Sequence, residues 1–281
     1  YGVRKQDGYI DYDMVEEMAQ QQKPDMIVCG ASAYSRVIDC KRFRAIADKV
    51  DAWLVADVAH YAGLIAGGVL PTPCNHADVV TTTTHKTLRG PRGGMILWND
   101  EALSKSINSA VFPGLQGGPL EHVIAGKAVA FGQALQPDFK IYAQNVVKNA
   151  QAMADALDAR GYTIVSGGTD THVFLVDLQK QGLIGLDAQK ALYRAHLNCN
   201  RNTIPNDPQT AWKTSGLRFG SPAATTRGLN ATEFRDIGNW IADVLDGLKA
   251  NGEEGNAAVE KAVAVKVAEI CKKYPIYKES C

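Results

Sequence analysis

Apolar positions along the chain fall into two rhythms. Three short unbroken runs, Met26-Ile27-Val28-Cys29, Trp53-Leu54-Val55-Ala56 and Val79-Val80-Thr81-Thr82, read as buried strands. Gly30 closes the first and Asp57 the second, and Gly94 to Trp98 reads as a fourth. Between them, Cys40 to Val50 places Phe43, Ile46, Ala47 and Val50 at helical spacing on one face. Apolar strands alternating with a helix predict an α/β fold with a mainly parallel central sheet flanked by helices. Ligands of such sheets sit at the carboxyl ends of strands. Asp57 and the Thr84-His85-Lys86 segment both fall at such ends.

The run Phe112-Pro113-Gly114-Leu115-Gln116-Gly117-Gly118-Pro119 is rich in Gly and Pro and is expected to be a loop. Helices are expected at 120–134 and again from about Phe139 to Ala159, the latter ending at Gly161 as C-cap. Beyond that the pattern changes. Tyr162 to Val165, Val173 to Val176 and Leu217 to Phe219 read as strands, and Asp187 to His196 as a helix with Asp187 as N-cap. Helices over about 232–249 and 257–273 follow. This predicts two domains: 1–137 as part of a larger ligand-binding domain, and 138–281 as a linking helix with a smaller C-terminal α+β domain.

Bulk properties narrow the function. Lys plus Arg and Asp plus Glu number 30 each, so the chain lacks the basic field that nucleic-acid binding needs. An apolar fraction of 46% is ordinary for a soluble globular protein, and no apolar run approaches the ~18–20 residues of a membrane span. Six cysteines (Cys29, Cys40, Cys74, Cys199, Cys271, Cys281) are scattered without a C-x-x-C pair, which argues against a metal site and for a reducing, cytoplasmic setting. Small-molecule chemistry is the expectation.

The chemistry concentrates in Thr81-Thr82-Thr83-Thr84-His85-Lys86-Thr87-Leu88-Arg89-Gly90-Pro91-Arg92-Gly93-Gly94. Most lysines are solvated surface groups. Here hydroxyls and a histidine surround the lysine, and the preceding buried strand could desolvate its amine enough to make it a nucleophile. A phosphate-loop NTPase is excluded, because Lys86 precedes the glycines and G-x-x-x-x-G-K-[ST] is absent. Asp57 and His60 form a second element. Alone, Asp57 could simply cap the next turn and His60 be structural. Beside a lysine at the next strand end, the pair acquires a role. Pyridoxal 5′-phosphate (PLP) needs a lysine for covalent attachment and an acidic partner for its ring nitrogen.

The run from Thr81 to Gly94 resembles the active-site signature of the serine hydroxymethyltransferase family, a fold-type I PLP-dependent family. The resemblance continues through 30–35, 57–60, 108–119, 166–170, 202–207 and 215–226, so it covers nearly the whole chain. It implies that Lys86 attaches the cofactor and that Asp57 pairs with its ring nitrogen. Ser32 and His60 would meet the ring's phenolic oxygen and the substrate side, with Thr83 beside the cofactor and His85 helping to hold the phosphate. Gly117 and Gly118 would offer N–H groups to the phosphate bound in the neighbouring subunit of a homodimer with shared active sites, itself able to form a tetramer. Arg218 would clamp the amino acid's carboxylate, Asn202 would contact the pterin of the co-substrate tetrahydrofolate, and Arg92 would lie near the site. The implied reaction moves the hydroxymethyl group of serine to tetrahydrofolate, giving glycine and 5,10-methylenetetrahydrofolate.

The sequence departs from the family in two ways. It opens on Tyr1, and the family's N-terminal stretch, with an acidic residue, tyrosines, a phosphate-binding segment and a ring-stacking histidine, has no counterpart in it. The expectation is a fragment of a longer enzyme that alone binds PLP weakly and turns over slowly or not at all; a full-length rate from 1–281 would refute this. Tyr61 also stands where many relatives carry a smaller residue. The alternatives are a threonine aldolase-like PLP lyase, or a catalytically silent fragment or dimer partner.

Overall fold

A computed structural model describes residues 1–277, so Cys281 lies outside the described residues. The chain divides into two compact units. The first holds 1–2, 10–32 and 37–144, and the second 3–9, 33–36 and 145–281.

The first unit is built on a four-stranded sheet, β1 (Met26–Gly30), β2 (Trp53–Asp57), β3 (Val79–Thr83) and β4 (Gly94–Trp98), in that spatial order. The first three strands are parallel and β4 pairs antiparallel with β3, which gives a mixed, mostly parallel sheet. The apolar runs thus become strands as expected. Burial alternates along β1 and β2: Ile27, Cys29, Leu54 and Ala56 are buried, while Met26, Val28 and Trp53 are about half exposed. Helix α2 (Cys40–Lys49) covers the buried side with Phe43, Ile46 and Ala47, and Asp39 caps it by accepting from Arg42 N–H.

Helices α1 (Tyr12–Gln22) and α3 (Ala62–Ala66) were not evident from the apolar pattern. The first is Gln-rich with a weak apolar stripe, yet its start is marked by Asp11, whose carboxylate accepts from Met14 N–H. The Gly/Pro-rich segment is only partly irregular. After α4 (Ser104–Ser109), residues 110–115 coil into one wide helical turn broken at Phe112, with a cis Phe112–Pro113 bond, and 116–120 run on irregularly to α5 (Glu121–Ala134). Helix α6 (Pro137–Ala159) contributes to both units.

The second unit carries an antiparallel sheet of β5 (Thr163–Ile164), β6 (Val173–Asp177), β8 (Gly216–Gly220) and β7 (Asn200–Asn202), in spatial order β5-β6-β8-β7. Its core joins Phe174, Val176, Leu217 and Phe219 from the sheet with Leu192 of α7 (Gly185–Arg194) and with Phe234, Ile241 and Leu245 of α9 (Ala231–Gly255). Helices α8 (Pro222–Arg227) and α10 (Ala257–Lys273) complete it. Asp187 is not the N-cap of α7. The helix starts two residues earlier, after Ile184, and Asp187 sits in its first turn, where its charge still faces the positive helix end. Gly161, at φ +83°, does end α6, because its left-handed backbone turns the chain without a Cβ clash.

Candidate active site

In the first unit β2 and β3 are adjacent and parallel, so their carboxyl ends open side by side. Asp57 pairs in register with Thr81 on one side and Gly30 on the other. The Gly30–Asp57 approach tolerates no side chain, since a Cβ on Gly30 would lie 2.3 Å from the Asp57 carbonyl oxygen. Asp57 is exposed, and its Oδ1 accepts from Ala59 N–H at 3.0 Å. The capping role open to it in sequence is therefore real, and its carboxylate still faces solvent at the strand's mouth.

Two threonines bind the Lys86 turn to the Asp57–His60 turn. Lys86, half-buried, donates from Nζ to Thr83 Oγ1 at 3.1 Å, and Thr83 Oγ1 donates to Ala59 O at 3.2 Å. Thr87, 1% exposed, donates to His60 O at 2.8 Å and accepts from Gly63 N–H at 3.0 Å. That second bond serves α3, whose N-cap Tyr61 makes no side-chain cap; a threonine 24 residues away satisfies one of its orphan donors. Gly63 permits the contact, because a Cβ there would lie 2.1 Å from Thr87 O.

The far side of the Lys86 turn is also held. Thr84 is buried and donates to Pro91 O at 2.6 Å, Gly90 N–H donates back to Thr84 O at 2.7 Å, and Tyr142 of α6 donates to Thr87 O at 3.2 Å. Arg89, left-handed at φ +59°, lays its guanidinium over the Tyr142 ring at 4.0 Å. His85 lies close enough to Lys86 and Arg92 to feel both. Burial first, then those two positive charges, hold its imidazole below the usual histidine range. Its Nδ1 is buried with no hydrogen-bond partner. The turn is thus a rigid, cation-rich lip with an unused polar atom. Ser32 lies exposed just past the end of β1, Arg92 is exposed, and Gly117 and Gly118 lie on the exposed stretch before α5.

In the second unit Arg218 is half-buried on β8, an inner strand, opposite Leu175 of β6 and Asn200 of β7. Asn202 ends the edge strand β7 and donates to Thr203 O at 2.7 Å. A cavity of about 310 Å³ is lined by Asn202, Thr203, Ile204, Tyr34, Ser35 and Ser166 among others. The loop after Asn202 is shaped by Asp207, which accepts from Ser215 Oγ at 2.6 Å, Ser215 N–H at 2.8 Å and Gln209 N–H at 2.9 Å. Burial works against that carboxylate's charge, but these bonds hold it below the usual range.

A family model described as serine hydroxymethyltransferase matches residues 1–241. The chain belongs to the serine hydroxymethyltransferase family. It is 61% identical over 277 residues to a serine hydroxymethyltransferase of Caulobacter sp. (strain K31), which covers 99% of this chain and 64% of that protein. A serine hydroxymethyltransferase of Rhizorhabdus wittichii is 61% identical over 279 residues, and one of Sphingopyxis alaskensis 59% identical over 277, with the same coverage. The chain thus spans about 64% of the length of these curated relatives.

Membership in the serine hydroxymethyltransferase family accounts for the motif at 81–94 and for the α/β class with its mostly parallel, helix-flanked sheet. The geometry adds residues that the sequence pattern left silent. Thr87 was part of the signature without a role. Tyr61 had no account at all, Tyr142 acts through a partner 55 residues away, and Asp207 closes its own loop on residues up to eight positions away. Among the described residues no helix is long and apolar enough to cross a membrane.

Proposed function

We propose that the chain carries the cofactor lysine and most of the substrate-binding groups of a PLP-dependent enzyme that transfers the hydroxymethyl group of serine to tetrahydrofolate. The observation that carries this reading is the Lys86 amine, held on Thr83 Oγ1, which itself bonds Ala59 O two residues past the exposed Asp57 carboxylate at the mouth of adjacent parallel strands. When bound, PLP supplies an electron sink for the bond to be broken.

The residues fit that group. A lysine suits the aldehyde and a carboxylate suits a protonated pyridine nitrogen. The buried, unpartnered Nδ1 of His85, beside Lys86 and Arg92, suits a phosphate. Ser32 and His60 would flank the ring's phenolic oxygen and the substrate, with Thr83 orienting Lys86. Gly117 and Gly118, exposed, would give N–H groups to the phosphate of a second subunit, which makes the working form a homodimer. Arg218 would hold the substrate carboxylate with two parallel hydrogen bonds, and Asn202, at a cavity's rim, would meet the pterin. In domain terms, 1–137 would be part of the cofactor-binding domain and 138–281 the small domain. Free thiols at Cys29, Cys40, Cys74, Cys199 and Cys271 suit a cytoplasmic setting.

The test is the visible absorption of the protein titrated with PLP, then with glycine and tetrahydrofolate. A cofactor band lost in Lys86→Ala, with a further red-shifted band that requires folate, is expected. A cofactor band indifferent to folate would favour an aldolase-like lyase, and a band that persists in Lys86→Ala would overturn the lysine assignment.

A further inference from the structure

Tyr61 is 6% exposed, and its hydroxyl does one thing: it closes on the backbone of Ala31. It accepts from Ala31 N–H at 2.7 Å and donates to Ala31 O at 3.0 Å. Ala31 needs both bonds. Gly30 is the last residue of β1 to pair with β2, so the strand ladder ends just before Ala31, and a half-buried peptide there would otherwise lack partners. Burial pushes the Tyr61 phenol above its usual range, so it stays protonated and able to donate throughout neutral and mildly alkaline pH.

The placement of this clamp gives it a use. Tyr61 directly follows His60, and Ala31 directly precedes Ser32. The phenol therefore ties the Ser32-bearing turn after β1 to the His60-bearing turn after β2. Thr87 in turn fastens His60 O to the Lys86 turn. Three successive strand ends are joined through two hydroxyls.

We propose that Tyr61 is a positioning residue that acts through Ser32, fixing the Ala31–Ser32 backbone against the His60 turn so that the Ser32 hydroxyl meets the cofactor's phenolic oxygen. This rests on the cofactor reading above. Tyr61→Phe keeps the buried ring and removes only the hydroxyl, so it tests the clamp on Ala31 apart from the packing of the ring.

The experiment is a double-mutant cycle of Tyr61→Phe and Ser32→Ala, read by PLP affinity and by the pH at which the bound cofactor's visible band titrates. Amide exchange at Ala31 without PLP is measured alongside. Tyr61→Phe is expected to speed Ala31 exchange and to weaken PLP roughly tenfold, the factor for ~1.4 kcal/mol of lost hydrogen bonding. It should shift the band's titration in the same direction as Ser32→Ala, and the double variant should be no worse than Ser32→Ala. Additive effects on affinity, or an unmoved titration, would make Tyr61 merely structural and overturn the proposal. Unchanged Ala31 exchange would overturn the clamp itself. If the parent protein takes up no PLP at Lys86, the cofactor reading fails and the proposal with it, whereas the Ala31 exchange result still stands separately.

Discussion

Thr87→Val isolates the bond that joins the two turns of the site. Valine matches threonine in shape and keeps the buried methyl, so packing is preserved and only the hydroxyl is lost. Two backbone groups then lose their partner inside a closed region: Gly63 N–H at 3.0 Å and His60 O at 2.8 Å. An unsatisfied buried group costs about 1–3 kcal/mol, so the pair should cost about 2–6 kcal/mol together. For a protein of this size, at about 2 °C per kcal/mol, that corresponds to a fall in Tm of roughly 4–12 °C. Thr87→Ser is the control. It keeps the hydroxyl and gives up one methyl, worth about 0.8 kcal/mol. Urea and thermal unfolding followed by circular dichroism would compare the three proteins. Equal destabilisation of the Val and Ser variants would refute the reasoning, because the loss would then reflect packing and not the bridge.

Two further predictions concern the second unit. Glu233 lies at N3 of α9, where it accepts from Tyr274 Oη at 2.6 Å and from Asn230 N–H at 3.0 Å. Burial opposes its charge, but those bonds and Lys273 hold its pKa at about 2, against the ordinary 4.5 of a glutamate. A depressed carboxylate contributes stability above pH 4.5, and loses it as pH falls from 4.5 towards 2, in all on the order of 3 kcal/mol. The difference in urea midpoint between wild type and Glu233→Gln should therefore shrink over that window, and a constant difference would contradict the assignment. If Arg218 holds the substrate carboxylate as proposed, Arg218→Lys should weaken serine binding to the PLP-loaded protein about a hundredfold, read by the serine-dependent change in the visible band, through loss of one of two parallel hydrogen bonds while PLP uptake is unchanged. An unaltered serine affinity would remove Arg218 from the substrate site.

The strand ends were legible in sequence because each apolar run stops at a residue with chemistry: Asp57 after Trp53–Ala56, and the threonine-histidine-lysine run after Val79-Val80. Parallel strands gather such stops on one edge, so linear spacing maps directly onto the site. Other features obey weaker signals. Asp187 resembled a cap because aspartate usually is one, but Ile184 precedes the true start and no side chain caps it. Strand β7 is Asn-Arg-Asn, an edge with no apolar alternation to notice. The bonds of Thr87 and Tyr61 were invisible for a different reason. Their partners lie 24 to 30 residues upstream, and only the pairing of β1, β2 and β3 brings them within reach.

That separation also sets an order of events. The Lys86 turn closes in part on itself, through Thr84 and Pro91, but Thr87 must also find His60 and Gly63 across a crossover, and that closure costs chain entropy before any bond repays it. Both partners of the Thr87 hydroxyl lie earlier in the chain, while Thr84 and the Thr87 carbonyl wait for Pro91 and Tyr142. During synthesis, which runs from the N-terminus, His60 and Gly63 are already available when Thr87 emerges, whereas the far side of the turn is completed only once Tyr142 follows. A cofactor attaching at Lys86, as proposed above, would therefore meet a turn whose shape depends on the alignment of the first three strands.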